Sequence, residues 1–443
     1  LSRQEIDGRM DALNLLIRSL SNGKFSFWVH RIRRRVADEL SVPSKGFPRR
    51  LISKYKDKLK SGGHMATELY LTIVYRPFPQ QAGRVLTRMF GDKNKPQHLI
   101  YAETVDVFET LNSSILSSLS QYGVTRLCAY VQNNIKYNRQ LEFYSYLING
   151  HWWKIPQKNT MPIANYLAAA RLKFETQLMS STDTYGTTYR AFVDLKDYAD
   201  FTDPGMLNTL LSVPCEYVET QTFSPLTSAD AAKMIKLQRD RMKVGADDAV
   251  SQIAALDSAL DDLASGRFSY GSYHYTMMVV GESVEQVKES RSRVIELLQN
   301  AGSGFLAVPV DGVVSNAFWA QLPGNWGDRP RVGHLSSRNF CGMASFHNYS
   351  SGKRNANPWG EAVAILKTVA SQPYYFNFHA TEIGENSIGT PALGNTQIIG
   401  SSGSGKTALA LFLQMCLSKY GTETVYFDKD RGAEIAIRAM GGR

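Results

Sequence analysis

The sequence has few cysteines and no long apolar run. Its 443 residues include only four cysteines, with no C-x-x-C pair and no Cys/His cluster at ligand spacing. This excludes a disulfide framework and a zinc site of the usual spacing, and it agrees with a reducing compartment. No stretch approaches about eighteen apolar residues, and no signal peptide is visible, so the sequence as given predicts no membrane span and leaves contact with a membrane surface open. The cysteines are Cys128, Cys215, Cys341 and Cys416.

Low-complexity segments are also absent, and the composition is that of an ordinary globular protein, with 43% hydrophobic and 20% charged residues. This length accommodates two or three domains with substantial cores. The chain starts at Leu1 without an initiator methionine and ends at Arg443, just inside a second βα unit. We therefore expect a fragment or a processed chain.

Acidic residues are scarce at the start of the sequence. Residues 1–60 contain fifteen Lys/Arg and six Asp/Glu, which accounts for almost all of the net charge of +10. Such a segment can meet anionic lipid, nucleic acid or an acidic partner, and the alternative is a solvated face. The basic residues in its densest part are Arg31, Arg33, Arg34, Arg35, Lys45, Arg49, Arg50, Lys54, Lys56, Lys58 and Lys60.

The segment around which the sequence is organised is a glycine-rich loop, residues 400–407 (GSSGSGKT). An apolar run at 396–399 predicts a short buried strand before it, and residues 408–417 predict a helix after it. This is the context that a G-x-x-x-x-G-K-[ST] match requires, because backbone N–H groups and a helix N-terminus then face one phosphate. The alternative is a glycine-rich turn with an exposed lysine. The predicted ATP-binding residues are Gly400, Ser401, Ser402, Gly403, Ser404, Gly405, Lys406 and Thr407.

Within this loop, Lys406 is predicted to reach the β- and γ-phosphates, and the Thr407 hydroxyl to occupy one position on Mg²⁺. A second predicted strand, 424–427, leads into a charged loop that begins at Asp428 and includes Asp430. Ligands of open parallel sheets lie beyond the strand ends, so we expect this loop beside the phosphates. Asp428 is predicted either to act in catalysis or to cap the helix that starts near Ala433.

The residues before the loop alternate between strand and helix patterns and carry no phosphate motif, which predicts an α+β domain. We expect domains at 1–64 (a basic N-terminal segment), 65–338 (α+β) and 339–443 (the first part of an ATPase domain). Residues 78–100 are predicted to be a mobile excursion. The helices are predicted at 10–20, 106–122, 142–148, 206–211 and 228–263 and after 283, and the strands at 25–32, 68–75, 126–131, 191–195, 216–223, 273–280 and 305–308.

Several motifs resemble one family. Residues 317–325 (AFWAQLPGN), with Arg329 and Pro330, are similar to the type IV secretion and conjugal-transfer ATPases of the CagE/TrbE/VirB kind. Weaker similarity extends back to residues 27–30, so the resemblance covers most of the chain. The other motifs that carry it are residues 345–348 (SFHN), 357–360 (NPWG), 375–379 (YFNFH) and 427–432 (FDKDRG).

The resemblance implies an α/β chain in which an N-terminal α+β domain precedes the start of a RecA-like P-loop domain. It implies Mg·ATP hydrolysis by a homo-oligomer, a hexamer, with a functional Asp428. It also implies a peripheral position on the cytoplasmic face of the bacterial inner membrane, and partner subunits that include a small membrane protein and a second ATPase.

One family feature is missing from the sequence. The second acidic motif, an apolar strand ending in Asp-Glu after the P-loop, does not occur, and Asp194 cannot replace it because it precedes the P-loop in another domain. We therefore expect residues 1–443 alone to hydrolyse ATP poorly. Two alternatives stay open: a ring-shaped DNA translocase, and a scaffold subunit whose nucleotide site only stabilises assembly.

Overall fold

The structure is a computed structural model, and it divides the chain into two compact units. The first comprises Leu1–Ile32 and Glu68–His347, and the second comprises Arg33–Thr67 and Asn348–Arg443. Residues 1–64 thus contribute to both units. The domain boundaries predicted from the sequence, after residues 64 and 338, stay a prediction. The residues described are 2–43, 45–76, 97–199, 201–244, 250–300, 304–429 and 431–443.

The first unit is built on a nine-stranded sheet, and the chain as described is mixed α/β. The strand order is β2-β1-β8-β9-β7-β6-β5, with β10 paired to β7 and β11 to β9. Two short hairpins, β3-β4 and β12-β13, stand apart from it. The strands are β1 Phe25–Val36, β2 His64–Tyr75, β3 Ala129–Gln132, β4 Ile135–Asn138, β5 Arg171–Phe174, β6 Met179–Asp183, β7 Gly186–Asp197, β8 Glu216–Pro225, β9 Tyr270–Gly281, β10 Leu306–Pro309, β11 Gly333–Ser336, β12 Ala364–Lys367 and β13 Pro373–Phe376.

Strand β9 is the centre of this sheet, and it pairs antiparallel with both β8 and β7. Its residues alternate between two apolar cores, because successive side chains of a strand point to opposite faces. Tyr273 and Met277 belong to one core and Met278 to the other. The register places Thr276 opposite both Thr220 of β8 and Asp194 of β7, so one face also carries polar groups.

The helices cover this sheet and build the second unit. Helix α1 begins with a capping box in which Ser2 and Glu5 satisfy each other's backbone N–H groups. Leu13, Leu16 and Ile17 are buried at helical spacing. The helices are α1 Arg3–Ser19, α2 Gly46–Gly62, α3 Gln97–Ser118, α4 Arg139–Asn149, α5 Ala164–Leu167, α6 Ser228–Val244, α7 Val250–Ala264, α8 Val284–Asn300, α9 Val314–Ala320, α10 Ser337–Met343, α11 Lys406–Leu417 and α12 Glu434–Ala439.

Most sequence-predicted elements of the first unit are confirmed. The predicted 106–122 helix begins earlier, at Gln97, and the predicted 206–211 helix is a 3₁₀ turn, Asn208–Ser212. The predicted excursion at 78–100 lies largely outside the described residues. Among the described residues, no helix has both the length and the hydrophobicity that a membrane span requires.

Two predicted strands of the second unit are wrong. Residues 396–399 and 424–427 have no regular structure, and Ile399, Val425 and Phe427 are 81%, 80% and 94% exposed. A strand needs a neighbour for its backbone groups, and neither segment pairs with another among the residues described. Apolar sequence alone therefore did not produce strands here.

Candidate functional site

The glycine-rich loop takes the turns that its glycines allow. Gly403 and Gly405 have φ values of +76° and +88°, in the left-handed region that costs glycine little. At Gly400 a Cβ would lie 2.5 Å from the Ser404 hydroxyl, so a larger residue would clash with the loop itself. The loop is exposed at all its positions except Lys406, which is half-buried. The glycines of the motif are thus needed for the loop's own geometry.

The Lys406 side chain folds across this loop. Its ammonium group donates to the carbonyl oxygens of Gly400 and Ser401, at 2.8 and 2.7 Å. In the described structure, all hydrogen bonds of the Lys406 side chain are therefore to its own loop. These bonds hold a positive charge over the loop, where it can exchange carbonyl partners for phosphate oxygens.

Helix α11 begins at Lys406, directly after the left-handed Gly405. No side chain caps its N-terminus, so its first backbone N–H groups face the loop without a side-chain acceptor. The same end carries the positive pole of the helix dipole. An anion placed before this helix would meet these N–H groups and the Lys406 charge, and the Thr407 hydroxyl beside them belongs to an exposed residue.

The charged loop after residue 427 lies beside this helix. A Cβ on Gly432 would lie 4.0 Å from the Thr407 methyl group, which agrees with the expected position next to the phosphates. The Asp428 carboxylate accepts the backbone N–H of Ala433 at 2.7 Å, directly before α12. This bond fixes the N-cap residue of α12, but no side chain among the described residues caps the helix itself, so the choice between the two predicted roles of Asp428 stays open. Asp430 lies outside the described residues.

The rear of α11 is anchored by residues that sequence reasoning did not assign to the site. Leu411 and Leu413 are buried with Ile52 of α2 and Val363, and the Tyr55 ring meets Phe412 edge-on at 4.8 Å. The signal was present in the sequence, since Phe47, Leu51, Ile52, Tyr55 and Leu59 have helical spacing. The basic segment thus supplies an apolar face that fixes the phosphate-loop helix.

A second anchor holds the C-terminal end of the same helix. The Lys419 ammonium donates to the Glu361 carboxylate at 2.8 Å and to the Ala362 carbonyl at 2.7 Å. The Tyr420 hydroxyl donates to the Glu361 carbonyl at 2.7 Å. Burial works against ionisation of Glu361, but Lys419 and Ser41 prevail and lower its pKa.

The basic patch predicted from the sequence is only partly a surface. Arg31 is buried and forms an ion pair with Glu219 at 2.9 Å. Arg33 is also buried and donates to the Ala370 carbonyl at 2.7 Å. The interpretation of both as patch residues is wrong, because charges taken into the interior need partners. The exposed basic residues of α2 are Arg49, Arg50, Lys54, Lys58 and Lys60.

Asp194 belongs to the first unit, whereas the glycine-rich loop at 400–407 belongs to the second. It is fully buried on β7, and neither carboxylate oxygen has a hydrogen-bond partner in the described structure. Burial raises its pKa to about 7. The structure confirms only that Asp194 and residues 400–407 belong to different units, and that Asp194 does not replace the missing acidic motif stays a prediction.

Two family models match the chain. The model described as "CagE, TrbE, VirB family, component of type IV transporter system" matches residues 125–331. The model described as "Type IV secretion system ATPase VirB4/TrbE, N-terminal domain" matches residues 1–83. Together they cover well over half of the sequence.

Curated relatives match from end to end of this chain. The type IV secretion system protein virB4 of Brucella suis biovar 1 is 37% identical over 462 residues, which is 100% of this chain and 54% of the relative. A type IV secretion system protein PtlC homolog of Bordetella bronchiseptica is 38% identical over 449 residues, 99% of this chain and 54% of the relative. The virB4 protein of Bartonella henselae is 33% identical over 445 residues, with 99% and 55% covered. The chain spans about half the length of these relatives.

Proposed function

Because the chain belongs to the CagE/TrbE/VirB family of type IV transporter components, we propose that it is the nucleotide-binding part of a type IV secretion ATPase. The observation that carries the proposal is the loop at 400–407, where the Lys406 ammonium lies against the loop carbonyls directly at an uncapped helix N-terminus. In this proposal the loop is the start of a RecA-like domain, and ATP with Mg²⁺ is its ligand.

Each residue of the site has a defined role. The backbone N–H groups from Gly400 to Gly405 would hold the phosphates, and Lys406 would neutralise charge on the β- and γ-phosphoryl oxygens. Thr407 would hold Mg²⁺, which adds charge stabilisation when bound. Asp428 would orient water through the carboxylate oxygen that does not accept the Ala433 N–H. Phosphoryl transfer of this kind depends on positioning and electrostatics rather than on covalent chemistry.

The proposal includes the assembly in which the site works. We place the protein as a homo-oligomer, a hexamer, on the cytoplasmic face of the inner membrane, with other secretion subunits that include a small membrane protein and a second ATPase. The relatives' printed names support a secretion role. The exposed basic face of α2, including Arg49, Arg50 and Lys54, is one part of the basic segment that an anionic membrane can reach.

The membrane contact is tested by charge reversal on this face alone. Replacement of Arg49, Arg50 and Lys54 by Glu should release the protein from anionic vesicles in a sedimentation assay. Reversal of Arg33 is unsuitable because that side chain is buried. Unchanged sedimentation of the triple variant, at a melting temperature equal to that of the unmodified protein, would contradict the membrane contact.

The secretion function is tested in the bacterium. The Lys406→Ala substitution in the gene that encodes this chain should abolish transport while the protein is present at its normal level. Normal transport would contradict an energising role and favour the scaffold alternative. Steeply salt-dependent binding to duplex DNA by the purified protein would instead favour the translocase alternative.

A further inference from the structure

A second cluster of basic groups lies in the first unit, around Trp326. The indole N–H of Trp326 donates to the Ser26 hydroxyl at 3.1 Å, and its ring meets Trp28 edge-on at 5.4 Å. Trp28 in turn donates to the Ala320 carbonyl at 3.1 Å. These contacts fix the Trp326 ring over the sheet, so groups that bind to it have a defined position.

Two arginines converge on this tryptophan. Arg329 donates from Nε to the Trp326 carbonyl at 3.2 Å, and from one terminal nitrogen to the Thr222 hydroxyl at 3.3 Å. The guanidinium carbon of Arg76 lies 3.5 Å from the centre of the Trp326 ring. Arg76 thus contacts the ring of Trp326, and Arg329 contacts the backbone of the same residue.

Neither arginine has an acidic partner in the part of the chain that the structure describes. The adjacent Asp328 carboxylate instead accepts from the Asn316 amide at 3.5 Å. Burial, and then the nearby Arg76 charge, lower the pKa of Arg329 to about 10. Two guanidinium groups therefore share a half-buried site without a compensating negative charge, which is unfavourable unless an anion binds there.

The sheet beneath contributes a further polar group without a partner. His274 lies opposite Thr222 across the β8–β9 pair, and it is fully buried. Neither of its ring nitrogens has a hydrogen-bond partner among the described residues. Burial, and then Arg329, lower the pKa of His274 to about 3, so the ring is neutral at physiological pH and can accept or donate one hydrogen bond.

We propose that the cluster of Arg76, Trp326 and Arg329 binds a phosphoryl group. Two guanidinium groups carry two positive charges, which one phosphate dianion neutralises and a single carboxylate does not. The planar guanidinium donors also match phosphate oxygens in pairs. This site is separate from the phosphate loop at 400–407 and does not depend on the proposed ATPase function.

The experiment uses inorganic phosphate and removes the phosphate loop as a competing site. The full chain with Lys406→Ala serves as the background, and phosphate is titrated by calorimetry at constant ionic strength. Arg76→Gln and Arg329→Gln are introduced separately. Arg293→Gln is the matched control, because Arg293 is an exposed arginine of the same unit whose nearest carboxylate, that of Glu289, lies 3.8 Å away.

We expect each cluster variant to weaken phosphate binding about tenfold or more, since hydrogen bonds to a charged group are the strong ones, and the control to leave it unchanged. Equal affinities in Arg76→Gln and Arg293→Gln would overturn the proposal, as would a background that binds no phosphate. If Arg329→Gln fails to fold, Arg76→Gln carries the test alone. The Arg76 side chain is half-exposed, so we expect its replacement to leave the fold intact.

A second arm identifies the source of the phosphoryl group. Vesicles of phosphatidylcholine with and without phosphatidic acid are sedimented with the same variants, each also carrying Arg49→Glu, Arg50→Glu and Lys54→Glu so that the basic face of α2 does not bind the anionic lipid. A loss of phosphatidic-acid-dependent sedimentation in Arg76→Gln, but not in Arg293→Gln, supports a lipid headgroup as the ligand. Equal sedimentation of these two variants, with phosphate binding still lost in Arg76→Gln, supports a soluble phosphorylated compound.

Discussion

Many apolar side chains of the nine-stranded sheet are buried, whereas several apolar side chains near the glycine-rich loop at 400–407 are exposed. In the sheet, Tyr273 and Met277 are fully buried, because β9 has a neighbour on each side. Around the phosphate loop, Val425 and Phe427 are exposed and unpaired in the described structure. The loop still has its glycine turns and its lysine contacts. The glycine-rich loop therefore takes its turns from its own residues, whereas a strand forms only with partners.

The largest stability effect is expected inside the sheet. Arg31→Met should destabilise the protein by about 3–5 kcal/mol, because it leaves the Glu219 carboxylate buried without its partner. Chemical denaturation measures the loss. Arg50→Met, at an exposed position of α2, is the control and should change stability by less than about 0.5 kcal/mol.

A double variant sharpens this test. Arg31→Met combined with Glu219→Leu should recover part of the lost stability, because neither residue of this pair is then left as a buried charge without its partner. If Arg31→Met costs no more than Arg50→Met, the two arginines are equivalent. The contrast between the buried strand and the exposed helix would then fail.

A smaller effect, which depends on pH, is expected from Asp194. Burial raises its folded-state pKa to about 7, above the ordinary value of 3.8. The folded state then binds the proton more tightly than the unfolded state, so this group's contribution is fully present below about pH 4 and is lost as the pH rises to about 7. The slope is up to about 1.4 kcal/mol per pH unit.

The Asp194→Asn variant isolates this effect, because the amide does not titrate. Its stability, measured by denaturation between pH 4 and pH 8, should fall less steeply with rising pH than that of the unmodified protein. The only ion pair of Asp194 in the described structure is with Arg331, at 4.0 Å. Parallel pH profiles for the two proteins would show that Asp194 is not held in its protonated form.

The smallest effect is expected in the loop region. Asp428→Ala removes the acceptor for the Ala433 N–H and should cost about 1 kcal/mol, the usual net contribution of one hydrogen bond. Asp428→Asn keeps an acceptor oxygen and should cost less. A loss for Asp428→Ala as large as that for Arg31→Met would break the comparison, since it would give this loop the structural weight of the sheet interior.

The strands of the sheet and the phosphate loop were predictable because their signals are local. The predicted strand at 273–280 lies within β9, and the glycine spacing identified residues 400–407. The burial of Arg31 was not predictable, since its partner Glu219 is remote in sequence and only the β1–β8 pairing brings the two strands together. The anchoring of α11 by α2 was missed for a similar reason: charge dominated the composition of that segment and obscured its apolar face.

The exposure of 396–399 and 424–427 was missed because a short apolar run reads the same whether or not a neighbouring strand exists. The role of Asp428 was left open between catalysis and capping, and the structure shows one bond to the Ala433 N–H without a side-chain cap on α12 among the described residues. Its catalytic role stays a proposal. The sequence predicted the glycine turns of the loop but not the packing that surrounds α11, and the phosphate chemistry of the loop stays a proposal.

The most direct measurement is nucleotide binding by the purified 443-residue chain. Calorimetry with Mg·ATP should show saturable binding to the unmodified protein and a loss of about a hundredfold or more in affinity for Lys406→Ala, because charge-assisted contacts to phosphate are lost. The melting temperatures without nucleotide should agree, since Lys406 donates only to carbonyls of its own exposed loop. Binding of equal strength by the two proteins would contradict the assignment of residues 400–407 as the phosphate-binding loop.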